Sequence, residues 1–232
     1  MNLANRYRSY HGRASFRIGC PTRLGTLRSR AFTLIELLAV IAVIGLITAT
    51  TVPMLFSTMK ANRLSAAGEE LVNRISLAQQ MAVSRNHEIE LRFYHYPDPE
   101  DPASKDHYRA TLIAQPAPDP DAPGSVETIV LSDMSYLRNG IVIANDETLS
   151  PILKEATRND YPDADNRIRG GTAHYKTIRF FPDGSCDVIL VTNQAYLTVV
   201  EERDFAAAGG IPKNFFAVQV DHYTSRAITY RP

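Results

Sequence analysis

An α+β fold, with one long N-terminal helix packed on an antiparallel β-sheet, is predicted for this 232-residue chain by three observations. Leu37 to Phe56 is an uncharged apolar run of 20 residues. As a helix at ~1.5 Å per residue it extends about 30 Å, the thickness of a bilayer's hydrocarbon core. Downstream, Leu64, Ala67, Leu71, Ile75, Ala78 and Ala82 recur at spacings of three and four, the stripe of an amphipathic helix that covers a core. From Glu88 onward, short apolar segments, the first alternating with period two, stand between clusters of Pro, Gly, Asp and Asn. The helix is therefore membrane-spanning in its first half and core-covering in its second.

Residues 1–31 are basic, rich in Ser, Gly and Thr, and lack a sustained apolar period, which predicts a disordered leader that is discarded. Residues 32–56 form the transmembrane helix. Pro53 removes one backbone hydrogen bond and crowds the carbonyl of Ala49, so a bend is expected there. Gly45 and Ala49 have the small-xxx-small spacing that admits a close neighbouring helix, although small residues are also common in membrane helices generally. Residues 57–86 continue the helix, with Lys60, Arg63, Glu69, Glu70, Asn73 and Arg74 opposite the apolar stripe, and the helix stops near Arg85-Asn86.

Residues 87–232 form a β-rich domain. Strands are expected from Glu88 to Phe93, Tyr108 to Ala114, Glu127 to Leu131 and Gly140 to Ala144, then from Tyr196 to Val200, Phe215 to Val220 and Ala227 to Tyr230. Between these groups, Thr177 to Phe181 and Cys186 to Leu190 make a hairpin around Pro182-Asp183-Gly184, because Asp-Gly is a favoured turn pair. Tyr96 to Pro102 and Gln115 to Gly124 are proline-rich connections, the second without the means to form a ladder. Asp146 to Gly171 is irregular, with a helical turn at Pro151 to Ala156. The two Pro/Asp-rich loops are expected to contact a partner or cargo.

A net charge of zero conceals an asymmetry, since seven Arg and no acid lie in residues 1–31, leaving 18 basic and 25 acidic residues after them. The acidic remainder excludes polyanions, nucleic acid included, as natural partners. The arginines before the span place its N-terminus in the cytoplasm and the β-rich domain outside, by the positive-inside rule. An ordinary secretory signal also has a basic region followed by an apolar one, but its apolar core is about 7–15 residues and ends at a small-x-small site. Here the run is longer and the candidates around Ala49 are poor. Cys20 lies in the leader and Cys186 stands alone, so a processed chain forms no internal disulfide and Cys186 reads as a small core hydrophobe.

Glu36 sits at the lip of the apolar run, where an unpaired charge costs on the order of 2.5–3.5 kcal/mol on insertion scales. It either snorkels to the headgroups or finds a cation. The surrounding Ala31-Phe32-Thr33-Leu34-Ile35-Glu36 resembles the processing and methylation signature of the type IV pilin and type II secretion pseudopilin superfamily. The resemblance implies a pilin-like fold, cleavage between Ala31 and Phe32 by prepilin peptidase, and N-methylation of the new terminus. It makes Glu36 the fifth residue of the mature chain, with Gly45 and Pro53 as the helix-loosening glycine and kinking proline; Ala31 stands where glycine is usual. Removing the leader would give Phe32 a cationic amine able to neutralise Glu36 of a neighbouring subunit, so pairing favours staggered assembly over loose monomers.

The stretch Leu77-Ala78-Gln79-Gln80-Met81-Ala82, a polar turn, then a strand resembles the minor pseudopilins of the H type, and the overall layout resembles the pilin-like family called Verru_Chthon cassette protein D. The partners so implied are prepilin peptidase, other pilin or pseudopilin subunits, inner-membrane lipid and a secreted protein as cargo. The location implied is the bacterial inner membrane, with a periplasmic C-terminal domain. A membrane-tethered extracytoplasmic binding module that never polymerises is the alternative.

Enzyme constellations are missing from the sequence: there is no Gly-x-Ser-x-Gly, phosphate loop or His-Glu-x-x-His, so neither catalysis nor a cofactor is expected. His11, His87, His95, His107, His174 and His222 are scattered over different segments. Asp160, Asp163, Asp165 and Asn166 offer oxygen ligands at nearly alternate positions but lack the glycine and distal glutamate of an EF-hand loop, so they read as solvated loop acids and no metal is assigned.

Overall fold

The computed structural model describes residues 32–101, 103–118, 126–138, 140–154, 158–168, 173–188, 195–208 and 211–232. The proposed leader, Ala31 included, lies outside them. The chain divides into two units, Met1–Ala49 and Thr50–Pro232. Helix α1 runs over 52 residues, Leu34–Arg85. It ends as its sequence predicts: Asn86 adopts a left-handed φ of 54° and the His87 amide reaches back to the Ala82 carbonyl at 3.3 Å. This is a Schellman-type stop, with Asn in the position where glycine is commonest.

The second unit is built on one antiparallel sheet of ten strands. In chain order they are β1 (Ile89–Tyr96), β2 (His107–Pro118), β3 (Val126–Val130), β4 (Ser135–Tyr136), β5 (Ile141–Ile143), β6 (Tyr161–Pro162), β7 (His174–Phe180), β8 (Tyr196–Glu201), β9 (Phe215–Val220) and β10 (Ala227–Tyr230). The spatial order is β10-β9-β8-β5-β2-β1-β7-β6, with β3 and β4 also pairing with β2. A 3₁₀ turn at Pro151–Leu153 and a short helix α2, Glu202–Ala208, complete the inventory of the described residues.

Alternation along β1 places the core. Ile89, Leu91 and Phe93 are buried with all six residues of the helix stripe, Leu64, Ala67, Leu71, Ile75, Ala78 and Ala82, and with Ile113, Ile178, Leu197 and Val218 from neighbouring strands. The stripe was fully legible. Gly68, beside it, is required by contact: a Cβ there would fall 2.2 Å from the Phe216 ring. The helix is further fastened by Gln79 Nε2 donating to the Thr224 carbonyl at 2.6 Å, and by Arg74 donating to Ser132 Oγ at 3.0 Å.

The even residues Glu90, Arg92 and Tyr94 are buried as well, because Leu112 of β2 and Tyr175 of β7 flank that face and the loop residues Ile168 and Ala173 pack with them. Arg92 holds Glu90 Oε2 at 2.8 and 3.0 Å and lies 4.6 Å from the Tyr175 ring centroid. The polar face of the strand thus holds an internal ion pair.

Two expectations need correction. Gln115 to Pro118 does form a ladder: β2 continues to Pro118 and pairs Gln115 with Ile129 and Ala117 with Glu127 of β3. The Leu131 amide bonds the Ile113 carbonyl, so odd-numbered residues of β2 carry the bonds towards β3. Pro116 and Pro118 therefore turn their donor-less nitrogens to the opposite side, beyond the last β1 pairing at Ala114. The hairpin after β7 is also shorter than predicted. Its turn forms, with Gly184 at φ 87°, but the return strand reduces to the bridge between Phe180 and Cys186 among the described residues. Asp187 Oδ1 accepts the Arg179 amide at 3.0 Å and the Arg158 guanidinium at 3.3 Å, putting side-chain bonds where a ladder would continue. Residues 189–190 lie outside the described set.

Candidate functional site

The N-terminal part of α1 shows how the motif residues are held. Thr33 caps the helix: its Oγ1 accepts the Glu36 amide at 3.3 Å and its carbonyl accepts the Leu37 amide at 3.2 Å. Thr33-Leu34-Ile35-Glu36 therefore follows the Thr-x-x-Glu pattern of a capping box, and the Glu36 carboxylate lies in the first turn at the positive end of the helix dipole. That signal was visible in the sequence and was missed. Phe32 is 75% exposed, and Leu34, Ile35, Leu37, Leu38, Ile41, Ile44, Leu46, Ile47, Leu55 and Phe56 are all exposed too. Within the run, Thr48 Oγ1 returns its hydrogen bond to the Ile44 carbonyl at 2.7 Å, and Thr58 bonds the Met54 carbonyl at 3.0 Å. Hydroxyls satisfied within their own helix suit a surrounding without water.

Around Gly45 there is open space, with nothing within 4 Å of where a Cβ would stand, so no contact among the described residues explains the glycine. The helix continues through Pro53. Ala31 falls outside the described residues, and Phe32 and Glu36 lie together on one exposed helix start.

The β-domain holds a second group. His95, 5% exposed, has Asp106 Oδ2 at 2.7 Å from Nδ1 and Asp160 Oδ1 at 2.8 Å from Nε2. A carboxylate at each nitrogen requires two ring protons, so the side chain is an imidazolium. Burial opposes that charge, but the bonds and charges of Asp106 and Asp160 outweigh it and raise the pKa above the ordinary histidine value. His174 lies directly across from His95 in the β1–β7 register, with ring centroids 5.9 Å apart. The sequence scatters these histidines; strand pairing joins them across nearly 80 positions, which no local pattern could reveal. Of the acids read as a solvated loop, Asp163 accepts the Ile168 amide at 2.8 Å and Asp165 pairs with Arg167 at 2.7 Å, so they serve local structure while Asp160 joins His95.

A capped, uncovered apolar helix whose second half covers an antiparallel sheet defines a pilin-like α+β protein. A family model described as the prokaryotic N-terminal methylation motif matches residues 26–52, which include Ala31, Phe32, Glu36 and Gly45. No curated protein and no solved structure matches the chain.

Proposed function

We propose that this chain is a minor pilin-like structural subunit of a type II secretion or type IV pilus-like machine. Prepilin peptidase cuts between Ala31 and Phe32, Phe32 is N-methylated, and residues 32–56 hold the subunit in the inner membrane until it joins a pilus or pseudopilus. The carrying observation is the division of α1: the motif-bearing half has no buried residue among those described, while the other half is built into the sheet domain. An uncovered greasy rod needs lipid or other rods, and subunits of one fibre would supply the latter. The Phe32 amine of one subunit then neutralises Glu36 of the next, and no turnover is involved. Lipid and secreted cargo are the remaining partners.

Mass spectrometry of the native protein tests the reading. A chain beginning at N-methyl-Phe32 is expected; one beginning beyond Ala49 would mean ordinary secretion. The tethered binding module that never polymerises is favoured by one observation: the Glu36 carboxylate lies in the first turn of α1, where the helix dipole favours an acid without any neighbouring subunit. An intact leader on a monomeric membrane protein would establish that alternative.

A further inference from the structure

We propose that His95, His174 and Asp160 form a binding site for a divalent d-block cation of the zinc class at the end of the sheet. One ligand atom from each of the three lies within 4.8 Å of the others. In a tetrahedral zinc site, with bonds of about 2.0–2.1 Å, ligand atoms stand roughly 3.3 Å apart. Closing the difference takes side-chain rotation, which the exposed His174 and Asp160 can supply while buried His95 stays fixed.

Three features go beyond a chance cluster. The backbone fixes the ligands: His95 and His174 are a directly opposed pair of β1 and β7, and His174 is in turn opposed by Pro162 of β6, two residues after Asp160. Asp106 already holds Nδ1 of His95 at 2.7 Å, fixing the ring and aiming Nε2 at Asp160. A carboxylate behind a ligating imidazole is the recurrent second layer of metal centres. Finally, Tyr108, whose ring meets His95 edge-on at 5.1 Å, carries a buried hydroxyl with no hydrogen-bond partner among the described residues.

The donor set selects the metal. Two imidazoles and one carboxylate suit Zn²⁺, Co²⁺ or Ni²⁺ rather than Ca²⁺ or Mg²⁺, which take oxygen ligands. On binding, the cation replaces the proton on His95 Nε2, which leaves to solvent, Asp160 exchanges a hydrogen bond for a metal bond, and water fills the fourth position. The ion would tie β1, β7 and the short β6 together, bracing an edge that two residues of ladder hold weakly.

The test uses the full chain in detergent micelles, stripped with chelator and titrated with Co²⁺. One equivalent is expected to give the visible absorption of a four-coordinate ion, displaced by one equivalent of Zn²⁺. His174→Ala should weaken Co²⁺ binding by tenfold or more, and Asp106→Asn, which alters a positioning residue, by roughly 10–100-fold. His222→Ala, outside the cluster, should leave it unchanged. Zn²⁺ should also raise the Tm of the parent chain and not that of His174→Ala, whose metal-free Tm should equal the parent's. Absence of the absorption, or a titration that His174→Ala leaves intact, would overturn the proposal.

Discussion

Glu36 has two physical roles available, and they separate under substitution. At position N3 of a Thr-x-x-Glu capping-box pattern it suits the helix start, a place glutamine also fills; as an anion it pairs with an amine, which glutamine does not. If assembly rests on neutralisation, Glu36→Gln and Glu36→Leu should both lower incorporation into sheared fibres, whereas normal incorporation of Glu36→Gln would leave only the cap. His95 and His107 should titrate in opposite directions. His107 is pushed below the ordinary histidine value by burial, and its Nδ1 accepts the Asn145 amide at 3.2 Å. Its contribution to stability is therefore present above about pH 6.5 and lost as the pH falls through its folded pKa. That of metal-free His95 is present below about pH 6.5 and lost as the pH rises through its raised pKa. Ring NMR on the metal-free chain should find the two on opposite sides of the unfolded value; a shared midpoint would contradict both assignments. Motif residues were legible because their meaning is local, but the partners of His95 were not, because register across three strands brings them together.

Helix α1 was readable almost to the residue, since a 3.6-residue period and an αL asparagine leave few alternatives. What the pattern could not show is how closely the sheet approaches. Gly68 reads as an unfavourable interruption of a helix, yet Phe216 occupies the space its side chain would need. Gly68→Ala should therefore destabilise the domain by about 1–3 kcal/mol despite the better helix propensity of alanine, visible as a Tm lowered by several degrees. A raised Tm would show that the ring swings aside at no cost. The missed elements β4, β6 and α2 have two, two and seven residues, too short for any period to register. Alternation in β1 reports which residues face the helix; that the other face is roofed as well is not visible in it.

Exposed large apolar side chains are densest from Phe32 to Met59, with others scattered over the β-domain, whose buried residues form one large cluster and two smaller ones. A chain beginning at Ser57 should accordingly stay soluble and monomeric and unfold in one cooperative transition, whereas the full chain should partition into membranes. Sedimentation of both forms checks this, and aggregation of the shorter one would mean that the run covers part of the domain. Pro116 and Pro118 bear on what happens when many copies are gathered side by side. Along that stretch of β2 the backbone offers no amide hydrogens to an incoming strand, so a neighbour cannot zip on there and start an amyloid-like ribbon. Crowded copies are thereby steered to meet through their rods instead of their sheets.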